Sequence, residues 1–205
     1  MEFYDAVNKR KTCRDWLNKD IDLNIIKKII DAGLKAPTHN HMREWEVIVL
    51  HTPEEKAKAL KFTKEGIEQF TKNNPIDSWP EGTKQQKMYK YAMPRQYTML
   101  ADAPYIIIPL FKARNLQAKS VDELNAFASI WCVIENIFLA ATAEGLSCSI
   151  SVPIGKEGKS VCKELGVPDD YMMLVYIGIG YPDNKAPDLE QHTYTADDKI
   201  HFGTW

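Results

Sequence analysis

Near the N-terminus, Arg10-Lys11-Thr12-Cys13-Arg14-Asp15-Trp16 concentrates cations around a hydroxyl. In extended chain the side chains alternate between faces, so Arg10, Thr12 and Arg14 point one way and Lys11 the other. Two guanidiniums flanking a hydroxyl suit a phosphate, because each offers paired donors in a fixed plane and a charge that it keeps. Taken alone, the segment reads first as a solvated basic loop.

A second group of unusual side chains follows Pro37: Thr38, His39, Asn40, His41, Met42 and Arg43. Two histidines with no carboxylate or thiol at ligand spacing do not make a metal site, so ligand contact or a solvated loop is expected instead. The cysteines, Cys13, Cys132, Cys148 and Cys162, show no CxxC pair. They read as reduced thiols of a cytoplasmic protein, with Cys148 a small buried filler. Trp79, among prolines in the 72–82 loop, reads as a substrate lid or as a hydrophobic plug.

These groups must be positioned by the elements around them. Residues 2–9 predict a short helix before the basic segment. Asp22 caps a second helix, in which Leu23, Ile26, Ile29, Ile30 and Leu34 share a buried face, and Pro37 ends it. Residues 46–50 are a strand by composition. Thr52-Pro53-Glu54-Glu55 is a capping box opening a helix to about residue 71. A helix over 84–101 is open to interruption at Pro94. Residues 105–110 are a strand apolar enough for burial on both faces. Ser120-Val121-Asp122-Glu123 is a further capping box, and Gly145 closes the most apolar helix of the chain. Asp122, Glu123, Glu135 and Asn136 argue against that helix spanning a membrane. Residues 146–152 form a small strand or loop, 155–165 a helix stopped by Gly166, and 172–179 a third strand. Tyr194, Ile200, Phe202 and Trp205 give the tail too much apolar surface to float free, so it is expected to wrap a partner.

The chain has 205 residues, enough for one substantial core, and a single domain over 1–205 is the economical reading. With 44% hydrophobic and 26% charged residues it has an ordinary globular composition. A net charge of -2 gives no general pull toward nucleic acid or anionic membrane, so neither partner is expected. The start shows no basic-then-apolar leader, which agrees with a cytoplasmic location. GxGxxG and GxxxxGK[ST] are both missing, which excludes those phosphate devices in their usual form.

Taken together, four features resemble the nitroreductase family of flavin enzymes. They are the basic opening segment; Ala36-Pro37-Thr38 with Trp45 seven residues on; Glu135-Asn136-Ile137-Phe138-Leu139-Ala140-Ala141 running into Glu144-Gly145-Leu146; and Ile177-Gly178-Ile179-Gly180-Tyr181-Pro182. In this order they span most of the chain.

The resemblance implies an α+β fold: a mostly antiparallel central sheet flanked by helices. It implies a homodimer with a long interface helix, an exchanged C-terminal arm, and one FMN in each of two clefts between subunits. Carried over by position, Arg10 and Arg14 bind the FMN phosphate, with Lys11 and Thr12 in support. Pro37, Thr38 and His39 contact the flavin from the opposing subunit, His41 stands where many relatives have asparagine, and Gln96 falls near another polar flavin ligand. Ile150, Ser151 and Val152 lie against the isoalloxazine ring. No catalytic acid or base is implied, because the cofactor carries the difficult chemistry. Two departures stand out. Arg43-Glu44 replaces the usual Gln-Pro, and residues 187–192 lack the basic residue that relatives often place in the tail, which leaves Gln191 or His192 as substitutes.

The activity implied is electron transfer from NAD(P)H through FMN to a small electron-poor acceptor, a nitroaromatic or quinone, by a ping-pong cycle. The same fold also fits reductive dehalogenation, flavin cleavage of the benzimidazole-forming kind, or a flavin-binding module with little turnover.

Overall fold

Helix starts follow the side chains available to cap them. The computed structural model describes residues 1–112, 120–187, 189–190 and 192–205, and at Asp122 the backbone alone. In chain order the elements are α1 (Phe3–Lys9), α2 (Leu23–Gly33), β1 (Trp45–Leu50), α3 (Pro53–Asn73), α4 (Lys84–Ala92), α5 (Thr98–Ala101), β2 (Tyr105–Lys112), α6 (Asn125–Ala143), β3 (Ser147–Ser151), α7 (Glu157–Glu164), β4 (Tyr171–Met173) and β5 (Tyr176–Gly180). The Asp22 carboxylate accepts the Asn24 N–H at 2.8 Å ahead of α2. Thr52 and Glu55 form the reciprocal box of α3, and Thr83 and Gln86 form another at α4. Gly145 and Gly166 take φ of +76° and +71° just past α6 and α7, a conformation that costs glycine little.

Two elements differ from expectation, and in a third the interruption expected at Pro94 occurs. The stretch Val121–Leu124 is a 3-10 turn, and α6 begins only at Asn125. The helix expected over 84–101 breaks at Met93–Arg95, where Pro94 has no N–H to continue the ladder, and resumes as α5. The strand expected over 172–179 is two strands. Its register along β2 pairs Leu110 with Met173 but Ile107 with Ile177, so the β4–β5 side carries one extra residue. Pro109 lies opposite this bulge. Its carbonyl accepts the Leu174 N–H at 3.4 Å, but it has no N–H to return.

The sheet order is β1-β2-β5-β3, with β4 continuing beside β2, and every pairing between these strands is antiparallel. β2 is buried along nearly its whole length, and its side chains alternate between two cores. Tyr105, Ile107 and Phe111 face α2 and α6 through Ile26, Ile29, Ile130, Val133 and Ile137. Ile106, Ile108 and Leu110 face Leu60 of α3, Leu100 near the end of α5 and Val161 of α7. The result is an antiparallel sheet flanked by helices, as the opening reading expected.

By length and composition α6 could cross a bilayer, yet here Ile130, Val133 and Ile137 are fully buried in the core. Gly33 lets α2 come close to it: a Cβ there would lie 2.7 Å from Ile137. Asn136 is half-buried and donates to the Ala32 carbonyl at 3.3 Å, which ties α6 to α2. Trp131 and Cys132 remain exposed on α6. The tail also presents its aromatic groups, with Phe202 90% and Trp205 100% exposed on the single chain.

Candidate functional site

Segment 10–16 is stitched to the sheet at both ends. Thr12 bridges in parallel to Cys148 on the outer edge of β3, and the Cys13 N–H donates to the Cys148 carbonyl at 3.0 Å. Trp16 bridges to Pro182 just beyond β5, flanked by Leu17 N–H to Tyr181 O at 2.9 Å and Asp183 N–H to Asp15 O at 3.0 Å. The Trp16 indole N–H reaches the Met99 carbonyl at 2.7 Å. Gly180 makes room for the ring, because a Cβ there would lie 2.8 Å from it. The segment is therefore an added edge of the sheet and not a solvated loop.

A cleft of about 660 Å³ opens beside it. Lys11, Thr12 and Arg14 line one wall; Asp183, Asn184 and Pro187 line another. The third wall is α4, which contributes Gln85, Met88, Tyr89 and Ala92 at helical spacing, together with Tyr91. Sequence reasoning missed this wall, although that stripe of positions three and four apart was the signal for it.

Arg14 is half-buried, and its Nε has no hydrogen-bond partner. Burial pushes the guanidinium pKa down, and the nearby Tyr91, Cys13 and Asp15 offset only part of that effect. Its neighbour Asp15 is engaged elsewhere. The Tyr91 hydroxyl donates to the Asp15 carboxylate, and Arg95 Nε stands 3.5 Å from it while the guanidinium lies 3.9 Å from the Tyr91 ring centre. Burial first, then the bond to Asp15, raises the Tyr91 pKa to about 12. Burial also pushes the Cys13 and Cys148 thiols up, so both are inert packing groups at neutral pH.

The loop after Pro37 lies apart from this cleft. Asn40, His41 and Arg43 take φ of 51°, 56° and 46°, a left-handed backbone uncommon for residues other than glycine. It is held by the Thr38 hydroxyl, which accepts the Arg43 N–H at 3.4 Å, and by the His39 N–H, which donates to Ser129 of α6 at 3.1 Å. Thr38, His39, Asn40 and Met42 line a smaller pocket of about 120 Å³ with Phe111 and Lys112. Among the described residues the two pockets share no lining side chain.

Of the other expected site residues, Arg10 is half-buried beside Cys148, on whose thiol its charge acts. Ile150 and Ser151 end β3, with Ser151 buried, and Val152 follows exposed. Gln96 donates back to the Ala92 carbonyl at 3.3 Å and does not line the cleft. Pro37 and His41 are exposed. In the tail, Gln191 lies outside the described residues, and His192 stacks on Tyr194 away from the cleft. No group of three metal-ligating side chains occurs among the described residues.

What this arrangement can do chemically is hold an anion against a sheet edge beside an aromatic helix wall. The chain belongs to the nitroreductase family, whose model matches residues 7–181. Among its relatives, iodotyrosine deiodinase of Daphnia pulex is 25% identical over 199 residues, 93% of this chain. The chain spans only 63% of that relative's length. An iodotyrosine deiodinase structure bound to FMN and 3-iodo-L-tyrosine superposes with a TM-score of 0.76 at 16% identity, covering 100% of both chains. An FMN- and NADPH-dependent nitroreductase derived from a sphigopyxis strain gives 0.75, also at 16% identity and covering 100% of both. At such identities the structural likeness is one of fold.

Proposed function

We propose that this chain is an FMN-dependent oxidoreductase that draws reducing equivalents from NAD(P)H and delivers them to an electron-poor small molecule, nitroaromatic or quinone. The observation that carries this reading is the desolvated Arg14 with its unpartnered Nε, in a chain of the nitroreductase family. A phosphate is the partner that such a guanidinium lacks. The cleft volume falls within the roughly 300–1,000 Å³ range of cofactor and ligand pockets. FMN and NADPH are named for structural neighbours, which supports the choice of cofactor and donor here.

When bound, FMN supplies hydride acceptance and onward electron transfer. The chain's own residues bind and orient. Arg10, Lys11 and Arg14 balance the phosphate charge, and Thr12 adds a hydroxyl. The backbone of Ile150, Ser151 and Val152 meets the ring system. Pro37, Thr38, His39 and His41 reach the cofactor from a second copy of the chain, so the working unit is a homodimer. Gln96, turned onto its own helix, is the weakest member of the expected set. No side chain is required as acid or base.

Purified protein should be yellow with about one FMN per chain, and NAD(P)H oxidation should accelerate when a nitroaromatic is added. Colourless protein that ignores added FMN sinks the reading. Reductive dehalogenation is the second reading, favoured by the deiodinase relative. Under it, 3-iodo-L-tyrosine releases iodide in anaerobic turnover.

A further inference from the structure

A second cavity of about 380 Å³ adjoins the cleft, and Gln85 and Tyr89 line both. Its walls are Phe70 from α3, Trp79 and Pro80 from the following loop, and Tyr89 from α4. Phe70 meets Trp79 edge-on, with ring centres 5.8 Å apart at 79°, and Trp79 leans on Tyr89 at 5.9 Å and 32°. The Trp79 N–H is tied to the Asn74 carbonyl at 3.2 Å, which fixes the indole and leaves its carbon surface to the cavity. Gln86 spends its amide oxygen capping α4, on the Thr83 N–H.

Among the described residues lining this nest none is charged. Nearby Lys84 and Lys90 are already paired, with Glu190 and Glu81. An ammonium or carboxylate brought in would shed part of its water and meet no opposite charge among these lining residues. A flat apolar ring instead gains edge and face contacts from three neighbouring aromatics. The nest shares Gln85 and Tyr89 with the cleft, so a ring seated there lies next to it.

We infer that the Phe70–Trp79–Tyr89 nest seats the ring of an uncharged aromatic acceptor and discriminates against zwitterionic aromatic amino acids. This rests on the proposed oxidoreductase function and narrows it, because the nest selects the acceptor and not the cofactor.

The test is calorimetric titration of the oxidised, flavin-loaded protein with three probes: nitrobenzene, 2-iodophenol and 3-iodo-L-tyrosine. The two iodinated probes share a ring and differ in the amino-acid group. The expected result is 2-iodophenol and nitrobenzene binding at least tenfold tighter than 3-iodo-L-tyrosine. Trp79→Ala and Phe70→Ala should each weaken both ring probes at least fivefold and leave FMN affinity, read from flavin fluorescence, within twofold. Tighter binding of 3-iodo-L-tyrosine overturns the inference, as does ring binding that neither variant changes. The wild-type comparison needs no variant to fold. If the protein takes up no FMN, the oxidoreductase reading falls, and the same titrations on that protein still decide whether the nest takes uncharged rings.

Discussion

The Tyr91 hydroxyl donates to the Asp15 carboxylate across 76 residues of sequence, immediately beside Arg14. With Arg95 on its other side, Asp15 is held by two partners that are not Arg14. The pair thereby keeps a carboxylate from neutralising the guanidinium that the cleft needs. Tyr91→Phe should release Asp15 toward Arg14 and weaken FMN binding by about 1 kcal/mol, roughly fivefold. Fluorescence titration measures it, and an unchanged affinity would mean that Tyr91 does not govern how Arg14 meets the cofactor.

The same hydroxyl predicts an alkaline signature. Its pKa rises from 10.0 to about 12 in the folded chain, so the folded state holds a proton that the unfolded state has lost across that window. The stabilisation is complete below pH 10 and disappears as pH climbs to about 12. Melting temperature should decline over that interval, and Tyr91→Phe should flatten the decline.

Arg14→Ala should weaken FMN binding by about 1.5–3 kcal/mol, the range for a charge-assisted contact. Arg14→Leu should do the same and yet raise the melting temperature of flavin-free protein, because a cation whose desolvation is only partly offset leaves the position. Loss of stability in Arg14→Leu would mean that the guanidinium has an internal partner after all.

Gly180→Ala tests how the basic segment is docked. The new methyl meets the Trp16 ring at 2.8 Å and Pro104 at 2.9 Å. Overpacking of this kind costs about 1–3 kcal/mol in urea unfolding. FMN affinity should fall with it, although residue 180 does not line the cleft. A stability loss with full FMN affinity would separate the Trp16 anchor from the cofactor site.

Trp131→Glu places a charge on the exposed face of α6, so if that face joins two copies of the chain the substitution should yield monomer in sedimentation. FMN affinity should drop in parallel if the loop after Pro37 serves the neighbouring subunit. A dimer that survives the substitution moves the interface elsewhere.

Much of the frame was legible because its signals are local. Asp22, the Thr52–Glu55 box and Gly145 each act within one helical turn, and the alternation of β2 between two cores follows from its apolar run. What escaped depends on partners distant in sequence. The split into β4 and β5 is set by Pro109, more than 60 residues earlier in the chain. Tyr91 and Arg95 take their meaning from Asp15, and Trp79 from Phe70 and Tyr89. The basic segment was read correctly as a concentration of charge. That only Arg14 among its cations carries a buried, unpartnered nitrogen depends on how Trp16 and Thr12 pin the segment down.

The separation of the Arg14 cleft from the 38–42 pocket has a genetic consequence. If each cofactor spans two copies of the chain, an Arg14→Ala subunit and a Thr38→Arg subunit fail for different reasons. Each still owns the half that the other has lost. Mixed and reassembled at random, half the dimers would be hybrids, each with one sound site and one doubly broken one, so about a quarter of all sites would recover. Two colourless preparations would turn yellow on being combined.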